Sequence, residues 1–234
     1  MVIKTKKIFS PLRWTKKLTL VGIVLDKSGS MLSLRQQAID GFNEQLQELQ
    51  SRVTDRHEIL ATVTLFSSDV ESQTDLINVE DVPRLTQSRY RPDGMTAMYD
   101  AVGETIATLK QAEIPPRTNV AYLVVVISDG MENYSKEYNS TTIRNAVSSC
   151  QETGKWTFVY IGANQDLSKV SKDLSIPTAN MLAFNATPEG YKRASYVQGS
   201  ALSYYLDART LGVTNTVNFF TETTGSTGSN DNKK

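Results

Sequence analysis

The chain carries one cysteine and one histidine in 234 residues, no excess of either charge, and no long apolar run. Each shortage removes a class of function. Cys150 cannot close an internal disulfide and leaves no thiol cluster for zinc, so a reducing, cytoplasmic setting is expected. His57 stands alone behind Asp55 and Arg56, where a solvated loop is expected, and it offers no nucleophile and base pair for covalent catalysis. Lys plus Arg and Asp plus Glu number 25 each, so no overall field draws the chain toward nucleic acid or an anionic membrane. Lys4, Lys6, Lys7, Arg13, Lys16 and Lys17 make residues 1–17 a basic arm, read as solvated. No apolar stretch there suits a signal peptide and none later could span a bilayer, so neither export by the usual route nor membrane insertion is expected. Neither G-x-x-x-x-G-K-[ST] nor G-x-G-x-x-G occurs, which removes the common phosphate-cradling loops.

What is present is an alternation of β-branched apolar runs with stretches of helical period, the pattern of an α/β fold: a doubly wound, mainly parallel sheet with helices on both faces and one antiparallel edge strand. Residues 18–26 (LTLVGIVLD) and 120–128 (VAYLVVVIS) read as central strands buried on both faces. Residues 33–53 follow the first as a helix with Leu34, Ala38, Phe42, Leu46 and Leu49 on one stripe. Residues 57–66 and 70–79 are extended runs joined by three residues, too short a link for a crossover, and so antiparallel. Helices are expected over 97–112, 141–152, 166–173 and 187–209, and strands over 156–162 and 181–184. One domain over residues 18–212 is expected, followed by a polar tail at 213–234 whose composition cannot bury enough surface to order itself.

The chemistry gathers where strands end. The first central strand closes in Asp26-Lys27-Ser28-Gly29-Ser30, so a carboxylate and two hydroxyls leave it within five residues. The second closes in Ser128-Asp129-Gly130, and if the two strands are neighbours across a reversal of strand order, both carboxylates reach one sheet edge. Between them, Arg91-Pro92-Asp93-Gly94-Met95-Thr96 is a turn that delivers a third hydroxyl just before a helix. Hard oxygen donors of this kind suit Mg2+, with Mn2+ or Ca2+ as substitutes, and an underneutralised ion would attract an anionic ligand. Serine and aspartate after a strand are also ordinary helix caps. Asp93 reads as a turn residue and Asp100 as a hydrogen-bonding partner of the site loops. Cys150 reads as a packing residue, and the tyrosines at 191, 196, 204 and 205 as divided between core and solvent.

With Asp26, Ser28 and Ser30 as Asp-x-Ser-x-Ser, then Thr96 and Asp129 in that chain order, residues 18–209 resemble the von Willebrand factor A domain family and its metal-ion-dependent adhesion site. The Asp-Lys-Ser-Gly-Ser-Met spelling and the Thr-x-x-Tyr-Asp-Ala stretch look like stand-alone prokaryotic or phage members, while Met95 stands where many relatives carry glycine. The resemblance implies that Ser28 and Ser30 bind the ion directly, Thr96 directly or through water, and Asp26 and Asp129 largely through water. It implies a binding module, not an enzyme, whose ion takes an Asp or Glu side chain from a partner protein, with an ATPase or a stress-response assembly as partner. The alternative is a Mg2+-dependent phosphohydrolase using Asp26, but such enzymes need a carboxylate two residues on, where this chain has Ser28. An RNA-binding scaffold would need an added helical domain, for which no segment is left.

Overall fold

The computed structural model describes residues 16–163 and 166–220; residues 1–15 and 221–234, which hold most of the expected basic arm and polar tail, lie outside them. Six strands form one sheet in the order β3-β2-β1-β4-β5-β6. The first strand, β1 (Lys16–Asp26), is paired in parallel on one side with β2 (His57–Phe66) and on the other with β4 (Thr118–Ser128). β5 (Trp156–Ala163) and β6 (Met181–Phe184) continue the sheet in parallel, and β3 (Val70–Asn78) folds back antiparallel on β2 as the far edge.

β1 is central because its apolar side chains serve both faces. Val21, Ile23 and Leu25 pack into one core with α1 (Arg35–Ser51) and α5 (Pro188–Thr210). Leu18, Leu20 and Val24 pack into the other, with α2 (Met98–Lys110), α3 (Ser140–Glu152) and α4 (Leu167–Leu174). This period of two on a doubly buried strand is why the sequence shows a continuous apolar run there. The five-residue stripe expected on the first helix is buried throughout, although α1 proper starts at Arg35, after a 3-10 helix at Gly29–Leu34.

The helix starts follow local chemistry. Asn139 and Thr142 form a reciprocal capping box on α3, Asp166 accepts the Ser168 N–H at 2.9 Å on α4, and Thr187 accepts the Gly190 N–H at 3.0 Å on α5 behind Pro188. α1 and α2 have no side-chain cap of their own. α1 continues directly from that 3-10 helix, and α2 begins at the carboxyl edge of the sheet, where another loop supplies partners.

Two expectations need correction. Residues 213–220 belong to the packed fold, so the boundary expected at Gly212 falls too early: Phe219 and Phe220 are buried, and Asn180 accepts the Phe219 N–H at 2.8 Å while donating to the Thr216 carbonyl at 3.0 Å. His57 is buried, not solvated, because β1 and α5 close over it; its Nε2 lies 2.8 Å from the Thr19 hydroxyl. Burial, with Arg209 and Lys17 nearby, pushes its imidazole down to about 4. Arg209 is itself wholly buried, and its guanidinium donates to Thr19 Oγ1, to Asn119 Oδ1 and to the carbonyls of Leu18, Asn119 and Val213. Tyr191 and Tyr205 are buried while Tyr196 and Tyr204 are exposed, and Cys150 is buried. No helix among the described residues is long and apolar enough to cross a membrane.

Candidate metal centre

The strand order reverses between β1 and β4, since β2 and β3 lie to one side of β1 and β4 to β6 to the other. Connections leaving such a pair go opposite ways and open a crevice at the carboxyl ends. Leu25 pairs with Ile127, so Asp26 and Ser128 leave the sheet side by side. The Ser128 hydroxyl donates to Asp26 Oδ2 at 2.6 Å, and the Ser28 N–H donates to Asp26 Oδ1 at 2.6 Å. Both oxygens of a wholly buried carboxylate are thereby engaged. Burial still dominates, pushing Asp26 up to about 6 against the pull of the Ser128 and Ser28 hydrogen bonds. Asp129 is raised above the usual carboxylate range by the same cause, partly offset by Ser30.

The remaining residues complete a graded bowl. Ser28 and Thr96 are buried, Asp129 is half-buried and Ser30 is exposed. The Ser28 and Ser30 hydroxyl oxygens are 3.1 Å apart, and Ser30 donates to Asp129 Oδ1 at 2.5 Å. Gly130 marks the convergence: a Cβ placed there would meet Thr96 Oγ1 at 2.8 Å, Asp26 Oδ2 at 3.4 Å and Ser28 Oγ at 3.5 Å. The structure thus brings all five residues singled out in the sequence to one spot, with oxygens of Thr96, Asp26 and Ser28 all within 3.5 Å of the place a Gly130 Cβ would take.

The loops are held by bonds that run between them. Gly29 donates to the Gly94 carbonyl at 3.1 Å and Asp93 to the Lys27 carbonyl at 2.8 Å. Gly94 has φ +78, a conformation open to glycine at no steric cost, and the next N–H, of Met95, reaches the Ser68 hydroxyl at 2.9 Å. Asp93 accepts the Gly94 N–H, as a turn residue does. Thr96 is gripped from the β4–α3 loop: its N–H donates to the Asn133 side chain at 2.9 Å, and its carbonyl accepts from the N–H groups of Asn133 and Tyr134.

That loop also supplies the missing start of α2. Glu132 accepts the Tyr99 N–H at 2.9 Å and Ser135 accepts the Asp100 N–H at 3.1 Å, which places a carboxylate at the positive end of the helix. In return Asp100 accepts three backbone N–H groups, from Lys136, Glu137 and Tyr138, at 2.7 to 3.0 Å. Asp100 therefore acts on the loop and not as a ligand. Sequence reasoning named Asp100 but missed Glu132, Asn133, Ser135, Ser128 and the Tyr90 hydroxyl that donates to the Asp26 carbonyl. Only Ser128, inside the strand-end triplet, carried a local signal.

Among the described residues no three His, Cys, Asp or Glu side chains gather at metal-ligand spacing. A site here rests on hydroxyls with two carboxylates, an all-oxygen set that suits a small hard dication and not zinc. The residues present fit such an ion.

The von Willebrand factor type A domain profile matches residues 21–191. Among solved structures, the chain resembles the vWF domain of the type V pili tip protein Mfa5 from Porphyromonas gingivalis at 10% identity and TM-score 0.59, covering 85% of this chain and 97% of that one. It resembles the pilus adhesin SpaC from Lactobacillus rhamnosus GG, in an open conformation, at 11% identity and TM-score 0.58, over 82% of this chain and 30% of SpaC. A von Willebrand factor type A protein from Catenulispora acidiphila aligns at 14% identity and TM-score 0.51, over 81% of this chain and 43% of its own. The chain thus spans less than half of two of these proteins. Among curated proteins none matches.

Proposed function

The chain belongs to the von Willebrand factor type A domain family, and from that premise we propose that it is a protein-interaction module that grips an acidic side chain of a partner through one Mg2+-class ion. The observation that supports this most is the convergence of Thr96, Asp26 and Ser28 oxygens on the space beside Gly130, with Ser30 and Asp129 above them at the surface. When bound, the ion supplies an open coordination position that a partner's carboxylate completes in both ligand number and charge. Ser28, Ser30 and Thr96 are neutral donors, so they leave a dication's charge to be met by Asp26, Asp129 and an incoming anion. Asp26 holds the Ser28 backbone and Ser128 in place, and Asp129 fixes the Ser30 hydroxyl.

Binding, not catalysis, is the reading these residues support. Asp26 is buried with both oxygens hydrogen-bonded, a poor posture for a nucleophile. His57 pairs with Lys17, nine residues along β1 from Asp26 and about 30 Å away by strand rise, beyond any proton transfer at the site. A pilus tip protein and a pilus adhesin among the similar structures accord with partner capture. A cytoplasmic setting rests on a single, buried cysteine, and cell fractionation tests it.

The test is affinity capture from lysate with Mg2+, with EDTA, and with Ser30→Ala in Mg2+. Ser30 is exposed, so its loss removes a donor without opening the core. A protein retained by the wild type in Mg2+ alone supports ion-dependent binding and shows whether an ATPase is the partner. The same proteins in all three arms would count against it.

A further inference from the structure

Nine large apolar side chains are exposed among the described residues, and four of them stand on the loops that form the ion site: Leu32 (62% exposed), Met95 (44%), Met131 (58%) and Tyr134 (39%). Leu32 is two residues from Ser30, Met95 precedes Thr96, and Met131 is two residues from Asp129. Tyr134 is tied to the same spot, since its N–H donates to the Thr96 carbonyl. Three separate loops thus each raise apolar surface beside the hydroxyls and carboxylates of the bowl. An exposed apolar cluster rimmed by polar groups marks an interaction site, and methionine suits one because it adapts its shape to the partner.

Two carboxylates of these loops are turned inward, while Arg91, Asp93, Lys136 and Glu137 stay exposed. Glu132 accepts backbone N–H groups of Tyr99, Tyr134 and Ser135, and Asp100 accepts those of Lys136, Glu137 and Tyr138. Lys27 is paired with Glu71 at 2.8 Å. The face therefore offers a polar, cation-seeking centre inside an apolar collar whose exposed charges are of both signs, with the Lys136 ammonium 4.8 Å from the centre of the Tyr134 ring. Met131 also lines a shallow cavity of about 40 Å³ whose wall mixes Met98, Val170 and Leu174 with the charged Lys169 and Asp173.

We propose that the partner segment is an Asp or Glu flanked on both sides by aliphatic, Met or Phe side chains, the carboxylate entering the ion site and its neighbours seating on Leu32, Met95, Met131 and Tyr134. This rests on the ion-dependent reading above and adds which acidic segments are accepted. Such complementarity works by excluding water around the anchor, which strengthens the central charged contact.

The test uses random seven-residue peptides displayed on phage, panned on the whole chain and eluted with EDTA. The baits are wild type, Ser30→Ala, and the combined Leu32→Ser, Met95→Ser, Met131→Ser and Tyr134→Ser variant, all in Mg2+. Because the four positions are exposed, the combined variant is expected to keep the wild-type melting temperature and its rise with Mg2+. The expected result is a wild-type pool enriched in Asp or Glu with apolar neighbours, whose best peptide binds the combined variant at least about tenfold more weakly. A pool with the acid but no apolar neighbours, or equal binding by the combined variant, overturns the collar while leaving the ion-dependent reading standing. Absence of any EDTA-eluted peptide from the wild type overturns both. Mg2+-dependent dimerisation of the wild type that the combined variant loses would assign the collar to a second copy of this chain, and would also overturn the proposal.

Discussion

Gly130→Ala is the sharpest perturbation of the site, because its consequence follows from three distances. The new methyl carbon lands 2.8 Å from Thr96 Oγ1, 3.4 Å from Asp26 Oδ2 and 3.5 Å from Ser28 Oγ. The first contact is too close and Thr96 is buried, so the loop must give way slightly; overpacking of this kind costs about 1 to 3 kcal/mol. Gly130 does not have a positive φ, so alanine recovers about 0.4 to 1 kcal/mol through the unfolded chain, and the net loss is about 2.6 kcal/mol or less. Ion binding suffers far more, since the methyl takes the space on which three donor oxygens converge. For a wild type at about 100 times its Kd, binding adds about 2.7 kcal/mol, or about 5 to 11 °C in Tm at this size. The assay is thermal unfolding by circular dichroism with EDTA and then with excess Mg2+. Gly130→Ala is expected to melt no more than about 10 °C below the wild type in EDTA and to gain nothing from Mg2+. An undiminished gain in the variant would refute the placing of the ion among these oxygens.

Further outcomes follow from buried groups. Asp100→Ala removes the acceptor of three N–H groups, and at about 1.5 to 3 kcal/mol for a hydrogen bond to a charged group the fold should lose at least about 2 kcal/mol. Hydrogen exchange would then quicken at Lys136, Glu137 and Tyr138, and unchanged protection there would contradict the clamp. Arg209→Met leaves the buried acceptors of Leu18, Asn119 and Val213 without their donors and should cost about 3 kcal/mol or more, read as a lower urea midpoint; a neutral result would mean these groups find other partners. His57 is neutral in the fold, with its pKa near 4 against 6.5 in the unfolded chain. The unfolded chain therefore takes up the proton first, so this contribution is complete above pH 6.5 and is lost as pH falls toward 4, by at most about 3 kcal/mol. His57→Gln should flatten the fall in urea midpoint between pH 7 and pH 5, and an unaltered fall would place the titrating group elsewhere.

The sequence exposed those parts of the molecule whose causes are local. β1 and β4 declared themselves because burial on both faces leaves almost no polar position in the run, and their ends then pointed to Asp26, Ser28, Ser30 and Asp129. Thr96 was found by its turn. His57 could not be placed locally, because its surroundings come from the β1 register opposite and from Arg209 on the last helix. Arg209 itself breaks the rule that places arginine on the surface; its acceptors lie on β1, on β4 and past the end of α5. The clamp on α2 was hidden for a similar reason, since Glu132 caps a helix that begins more than thirty residues earlier in the chain. Composition misled at residues 213–220, where Thr and Asn read as a solvated tail while Phe219 and Phe220 carry the segment into the core. In the sequence Asp26 reads only as a strand-end carboxylate. Its burial and two hydrogen bonds mean that Asp26→Ala also disturbs the fold, which makes the exposed Ser30 the cleaner position for testing function.

The central claim is an ion held by these five residues, and the most direct measurement is a Mn2+ titration followed by the electron paramagnetic resonance of the free ion. The expected result is one Mn2+ per wild-type chain, displaced by excess Mg2+, with binding weakened at least about tenfold in Ser30→Ala and abolished in Gly130→Ala. No bound Mn2+ in the wild type, or equal binding by all three proteins, would contradict it.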